Sequence, residues 1–132
     1  MFWWKKEFNR EGANMKVRTV YFKVKDMRAV TDFWEGFFGV NLFKKTEQWS
    51  EFKFDNIRFG FLLNDFGSQF SESNGAVMFE FPESELQTYV DRALKGGAKV
   101  IENNLNDPSL RSISLVDPFG NEFECGIEGT HH

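Results

Sequence analysis

Glu122 and Glu124 stand two residues apart in the run Asp117-Pro118-Phe119-Gly120-Asn121-Glu122-Phe123-Glu124-Cys125. In an extended strand both point to one face, with Phe123 and Cys125 on the other. Two carboxylates so placed can ligate a cation, pair with buried bases, or act as general acid and base on a substrate held between them. Pro118 and Gly120 punctuate a tight turn between two alternating apolar runs, Arg111 to Val116 and Glu122 to Ile127, so the whole stretch reads as a hairpin. Glu80, in a similar run from Gly75 to Phe81, is a third carboxylate of the same kind. Acid–base chemistry would draw on Glu124 with Glu80 or Glu122.

Other reactive groups are few. Cys125 is the single cysteine, which excludes an internal disulfide, and its strand parity makes it a buried small apolar residue rather than a reactive thiol. His131 and His132 end the chain after Gly-Thr, and residues 129–132 read as a tail left from a purification tag. The domain proper, residues 15–128, is then without histidine, and chemistry that needs an imidazole has no source there.

The chain has 132 residues, enough for one domain. With 17 Phe and 4 Trp it can fill a core, line an apolar pocket or cover a subunit interface. A net charge of −4 without a basic cluster argues against nucleic acid and leaves a neutral or cationic small molecule as the better partner. No apolar run approaches membrane-spanning length and Met1 to Phe8 has no signal-peptide core, so no membrane partner and a cytoplasmic location are expected.

Hydrophobic periodicity supplies the elements. Residues 1–14 form an extension that mixes Phe2, Trp3, Trp4 and Phe8 with Lys5, Lys6 and Glu7; it is either an amphipathic segment whose aromatics dock on the domain or on a partner, or an accessory leader, and Met15 is a second possible start. From Lys16 to Val24 the period is two, a strand. Asp26 caps a helix with Val30, Phe33, Trp34, Phe37 and Phe38 on one face, closed by Gly39. Strands are expected over 40–45, 49–54 and 57–63, the last two joined at Asp55-Asn56. Residues 64–74 read as a linker or a lid with Phe66 and Phe70 turned inward.

The pattern then repeats: a strand over 75–81, a helix opened by a capping box of Ser84 and Gln87 and closed at Gly96-Gly97, a strand over 98–102, and the hairpin described above. Two strand–helix–strand–strand–strand modules, about 16–63 and 75–127, account for the run. The fold class is α+β.

The paired modules, Val20 to Asp26 leading into a helix with Phe33-Trp34 and Gly39, and the closing Asp117-Pro118-Phe119-Gly120-Asn121-Glu122-Phe123-Glu124 resemble the vicinal oxygen chelate (VOC) superfamily. That group includes glyoxalase I, bleomycin-resistance proteins, fosfomycin-resistance enzymes and extradiol dioxygenases. The resemblance covers Lys16 to Ile127 and implies tandem βαβββ modules whose strands curl into a cup, and frequently a homodimer. Enzymatic members hold a divalent metal there, with ligands on the first and last strand of each module.

The positions that match here are Thr19, Gly60, Ala76 and Glu124, of which only Glu124 carries a donor of the family's kind. No cofactor is therefore expected, and a metal only if Glu124 finds other ligands. Parity puts Tyr21, Lys23, Arg58, Met78, Glu80, Glu122 and Glu124 in the cup and Phe59, Phe61, Val77, Phe79, Phe81, Phe123 and Cys125 under the helices. Trp49 and Phe52 are expected at the rim, where they either stack on a flat ligand or serve a dimer contact. Arg111 falls where the family often has a base for an anionic ligand, or is an exposed arginine.

Three functions follow. The first is a metal-free protein that sequesters an aromatic or apolar molecule as bleomycin-resistance proteins do, which would make it an antibiotic-resistance protein. The second is a lyase, isomerase or dioxygenase built on Glu124 with Glu80 or Glu122. The third is a structural or regulatory dimer whose cup is filled by its own side chains.

Overall fold

The computed structural model describes residues 17–65 and 76–129. The extension 1–14, the lid residues Phe66 and Phe70, and His131 and His132 lie outside the described residues. The elements are β1 (Thr19–Val24), α1 (Met27–Phe38), β2 (Lys44–Lys45), β3 (Trp49–Lys53), β4 (Arg58–Leu63), β5 (Val77–Phe81), α2 (Glu83–Lys95), β6 (Lys99–Asn103), β7 (Ser112–Val116) and β8 (Glu122–Ile127). They form two four-stranded mixed sheets of orders β1-β4-β3-β2 and β5-β8-β7-β6, each with its first and last strands parallel. The tandem βαβββ reading is correct.

The first helix starts where its cap predicts. The Asp26 carboxylate accepts from Ala29 N at 3.0 Å, and Gly39 ends the helix at φ 70°, a left-handed conformation that only glycine takes without strain. Thr31, buried in mid-helix, satisfies its hydroxyl on Met27 O at 2.8 Å.

Two details of the sequence reading need correction. The strand expected over 40–45 shrinks to Lys44–Lys45, because Glu35 at the end of α1 accepts from Leu42 N at 3.0 Å and ties residues 40–42 to the helix. The Ser84–Gln87 capping box does not form. Pro82, with its fixed φ, starts the helix two residues earlier, so Ser84 lies inside the first turn and Gln87 donates to Asp91 at 2.8 Å instead. Glu83 and Glu85 in that turn take over by favouring the positive end of the helix dipole.

The core is shared between the modules. Trp34, fully buried on α1, has its ring 5.0 Å from Phe59 of β4 and 5.0 Å from Phe123 of β8, both edge to face. Phe37 and Phe38 extend the contact to Phe79 and Phe81 of β5. The inner faces of both sheets therefore pack toward the helices, and the opposite, open face of each sheet points away from the shared core.

An indole N–H buried this deeply needs an acceptor. Asp117, 3% exposed, supplies it at 3.3 Å. The same carboxylate accepts from Phe119 N, Asn121 N and Asn121 Nδ2 at 3.0, 2.8 and 2.9 Å, and so folds the Pro118–Gly120 turn. Replacing Asp117 by alanine should destabilise the domain by about 3 kcal/mol in urea unfolding, since buried donors lose their partner, and asparagine should recover part of that. A loss below about 0.5 kcal/mol would mean that the turn folds without it.

Candidate functional site

Strand parity and hydrogen-bonded register determine what each open face carries. In the first sheet Tyr21 pairs with Gly60 and Gly60 with Glu51, while Trp49 pairs with Leu62 and Lys53 with Arg58. Tyr21, Lys23, Trp49, Glu51, Lys53 and Arg58 thus share one face. Gly60 is what makes room for its central feature. A Cβ built there would stand 2.6 Å from the indole of Trp49, which lies over the glycine. The indole also meets the ring of Tyr21 edge to face, at 5.3 Å, and donates from Nε1 to Glu51 Oε1 at 3.2 Å.

Glu51 is a residue the sequence reading did not single out. It is 5% exposed on the open face of the sheet, its Oε2 has no hydrogen-bond partner among the described residues, and Arg58 Nη1 lies 3.6 Å from it. The Arg58 guanidinium in turn lies 5.6 Å from the ring of the exposed Phe43, which also receives Lys53 at 5.1 Å. The Asp55-Asn56 turn, closed by Phe54 N to Ile57 O at 2.9 Å, fixes this register. That turn was legible, and counting back from it places Glu51 opposite Gly60.

The second sheet is built in parallel fashion. Met78 pairs with Glu124, Glu80 with Gly126, and Ser114 with Glu124. Glu124 is half-buried and accepts from Ser114 Oγ at 2.9 Å, while Glu80 and Glu122 are exposed. The end of the Met78 side chain covers Gly126, 2.8 Å from where a Cβ would be. Glu80 and Glu124 are offset by two residues on neighbouring strands. Each module thus places a glycine of its last strand beneath a large side chain.

Two expected site residues fall elsewhere. Phe52 is not at the rim. It is 1% exposed, 4.8 Å from Phe38 in the core, because its parity is opposite to that of Trp49. Arg111 lies in the turn before β7 at φ 47°, where it pairs with Glu83 of α2 at 2.9 Å.

The positions that the resemblance matches to a metal site do not form a ligand set that suits a metal. Thr19 accepts at its hydroxyl from Arg18 Nε at 3.2 Å, Gly60 is covered by the indole, Ala76 has no donor, and Glu124 is bonded to Ser114. One carboxylate with a neutral hydroxyl falls short of the three or four N, O or S ligands that zinc or iron needs.

Residues 19–125 match the model of the glyoxalase-like domain, and the chain belongs to that family, within the VOC superfamily. No curated protein matches it in sequence. Solved structures with the same fold include a glyoxalase/bleomycin resistance protein/dioxygenase family enzyme from Burkholderia phytofirmans, with 18% identity, TM-score 0.72 and coverage of 86% of this chain and 98% of that one. A lactoylglutathione lyase from Agrobacterium tumefaciens has 17% identity, TM-score 0.68 and coverage of 89% and 96%. The fosfomycin resistance protein FosX from Mesorhizobium loti has 20% identity, TM-score 0.65 and coverage of 86% and 92%. Among the described residues no helix is long and apolar enough to cross a membrane.

Cys125, fully buried on the inner face, is no nucleophile for this site. Burial, with the neighbouring Glu124 charge, pushes its thiol up from 9.0 to about 12. Native protein at pH 8 should therefore react with a disulfide reagent about a thousandfold more slowly than unfolded protein, from the thiolate fraction alone. Equal rates would place the thiol at the surface.

Proposed function

We propose that the protein binds a flat, aromatic or apolar, neutral or cationic small molecule against its open faces without a resident metal. The observation that carries this reading is the Trp49 indole. It fills the space over Gly60 where a ligating side chain of the fold would stand, and with Tyr21 it offers two aromatic surfaces backed by the carboxylate of Glu51. Lys23, Arg58, Met78 and Glu124 complete the ligand's surroundings. The superfamily includes resistance proteins that sequester a drug, and the same role is proposed here.

The working unit is a homodimer. The open face of the first module carries Lys23, Lys53 and Arg58, against which Glu51 is a single negative charge; the open face of the second carries Glu80, Glu122 and Glu124. These faces point away from the core, so a second copy related by twofold symmetry can set the basic face of one chain against the acidic face of the other and close a cup between them.

Two measurements test these readings. Titrating Zn²⁺, Ni²⁺, Mn²⁺ and Fe²⁺ into metal-stripped protein should give no stoichiometric binding, and a thermal-shift screen of flat neutral and cationic aromatics should give hits that Trp49→Ala abolishes. A stoichiometric metal lost in Glu124→Ala would replace the binding protein by an enzyme. For the assembly, light scattering after size exclusion should give a dimer at low salt that high salt or Lys53→Glu weakens. A monomer at all salt concentrations would defeat the dimer and leave ligand binding to one module.

A further inference from the structure

On the open face of the first sheet a carboxylate and a guanidinium stand side by side without a hydrogen bond between them. Glu51 Oε1 accepts from the Trp49 indole at 3.2 Å, which orients the carboxylate and leaves Oε2 toward Arg58. Oε2 is buried and makes no hydrogen bond among the described residues, and Arg58 Nη1, at 3.6 Å, is beyond hydrogen-bond reach of it. The same guanidinium lies 5.6 Å from the ring of Phe43, whose N–H donates to Glu51 O at 2.9 Å, so the three residues are tied together. A buried carboxylate oxygen keeps its acceptor capacity unused only at a cost, and beside a binding surface it is a specific acceptor for a ligand's N–H.

The pair offers an acceptor, Oε2, next to a donor, Nη1. Its complement is a flat edge with an N–H beside a carbonyl, the edge of a cyclic amide. A ring bearing that edge can lie against Trp49 and Tyr21, which adjoin Glu51 through the indole. A charged group suits the pair less well. A cation that took Oε2 alone would part the carboxylate from its guanidinium, and a carboxylate that took Arg58 would meet Glu51. A neutral edge keeps the ion pair together and gives each member a hydrogen bond.

We propose that the ligand of the Trp49 face is a neutral planar heterocycle with a cyclic amide, which donates its N–H to Glu51 Oε2 and accepts at its carbonyl from Arg58. The inference rests on the binding role proposed above and names the ligand class within it. Arg58 is the residue that moves, since its side chain is partly exposed while that of Glu51 is buried and held by the indole. The guanidinium shifts along the Phe43 ring and the amide edge enters between the two charges. Glu51 and Arg58 thus select by hydrogen bonding, whereas the aromatic pair gives contact that any flat ring would receive.

The test titrates the full chain, by NMR, with carbostyril and with coumarin, which have the same shape and carbonyl but differ in that a ring oxygen replaces the N–H in coumarin. Carbostyril should bind about tenfold or more tightly than coumarin, because coumarin leaves Oε2 unpaired. Glu51→Leu should bind the two alike, Glu51→Gln, which keeps the shape of the side chain should leucine not fold, should narrow the gap, and Arg58→Ala should weaken both by a similar factor. Equal binding of the two probes by the unmutated chain, with both lost in Trp49→Ala, overturns the inference and leaves the stacking role standing. A preference for carbostyril that survives in Glu51→Leu, verified as folded by circular dichroism, overturns it by sending the N–H elsewhere. Binding of neither probe overturns it as well, and the binding role falls with it only if the thermal-shift screen gives no hit that depends on Trp49.

Discussion

The buried N–H of Trp34 is the constraint on which the arrangement rests. An indole at the centre of the core contacts aromatic rings of both sheets and must still find an acceptor. The acceptor comes from the far end of the chain, where Asp117 answers Trp34 and two backbone donors of its own turn at once. One carboxylate therefore locks the first helix to the last hairpin. Since α1 lies between the inner faces of both sheets, those faces are committed to packing, and any binding chemistry is left to the open faces.

On those faces the decisive residues are the ones without side chains. Gly60 and Gly126 both lie on the last strand of their module, Gly126 two residues beyond the counterpart of Gly60, and a large side chain from a neighbouring strand, Trp49 or Met78, lies over each. Of the two, only Gly60 is a position that the resemblance to metal-binding members matches to a ligand pointing to the centre of a cup. The indole of Trp49 occupies the space over Gly60 and the thioether of Met78 that over Gly126, groups that offer dispersion and, for the indole, cation–π contact. What the open face offers at Gly60 is thus decided by the side chain that fills the space over the glycine, with the backbone of the fold left as it was.

Much of this was legible in the sequence because it follows from period and punctuation. The alternation through Arg58-Phe59-Gly60-Phe61 and Glu122-Phe123-Glu124-Cys125 gave the faces correctly, and Asp26 and Gly39 gave the first helix its ends. Glu51 escaped because a lone carboxylate between Ser50 and Phe52 has the composition of an ordinary exposed strand residue; its burial depends on the Trp49 indole leaning toward Gly60, a side-chain direction that no strand period encodes. Phe52 was misplaced for the reverse reason, an aromatic assigned by type to a rim although its parity with Phe54 and its opposition to Trp49 sent it inward. The loss of residues 40–42 from β2 came from a tertiary bond, Glu35 to Leu42, beyond the reach of local pattern.

Glu51 also bears on the charge a ligand can carry. Its carboxylate has one guanidinium at 3.6 Å and one indole N–H as partners, and Oε2 is left without a hydrogen bond among the described residues. Under the proposed binding role, a cation over the Trp49 and Tyr21 rings would lie beside this carboxylate and the ring faces, whereas an anion would meet the carboxylate, with Lys23 and Lys53 flanking the same face. If the acidic face of a second copy lies opposite, it acts in the same direction through Glu80, Glu122 and Glu124. In the proposed dimer Lys53 would then face the neighbouring chain, and under the proposed binding role the aromatic pair with its buried carboxylate would choose the ligand.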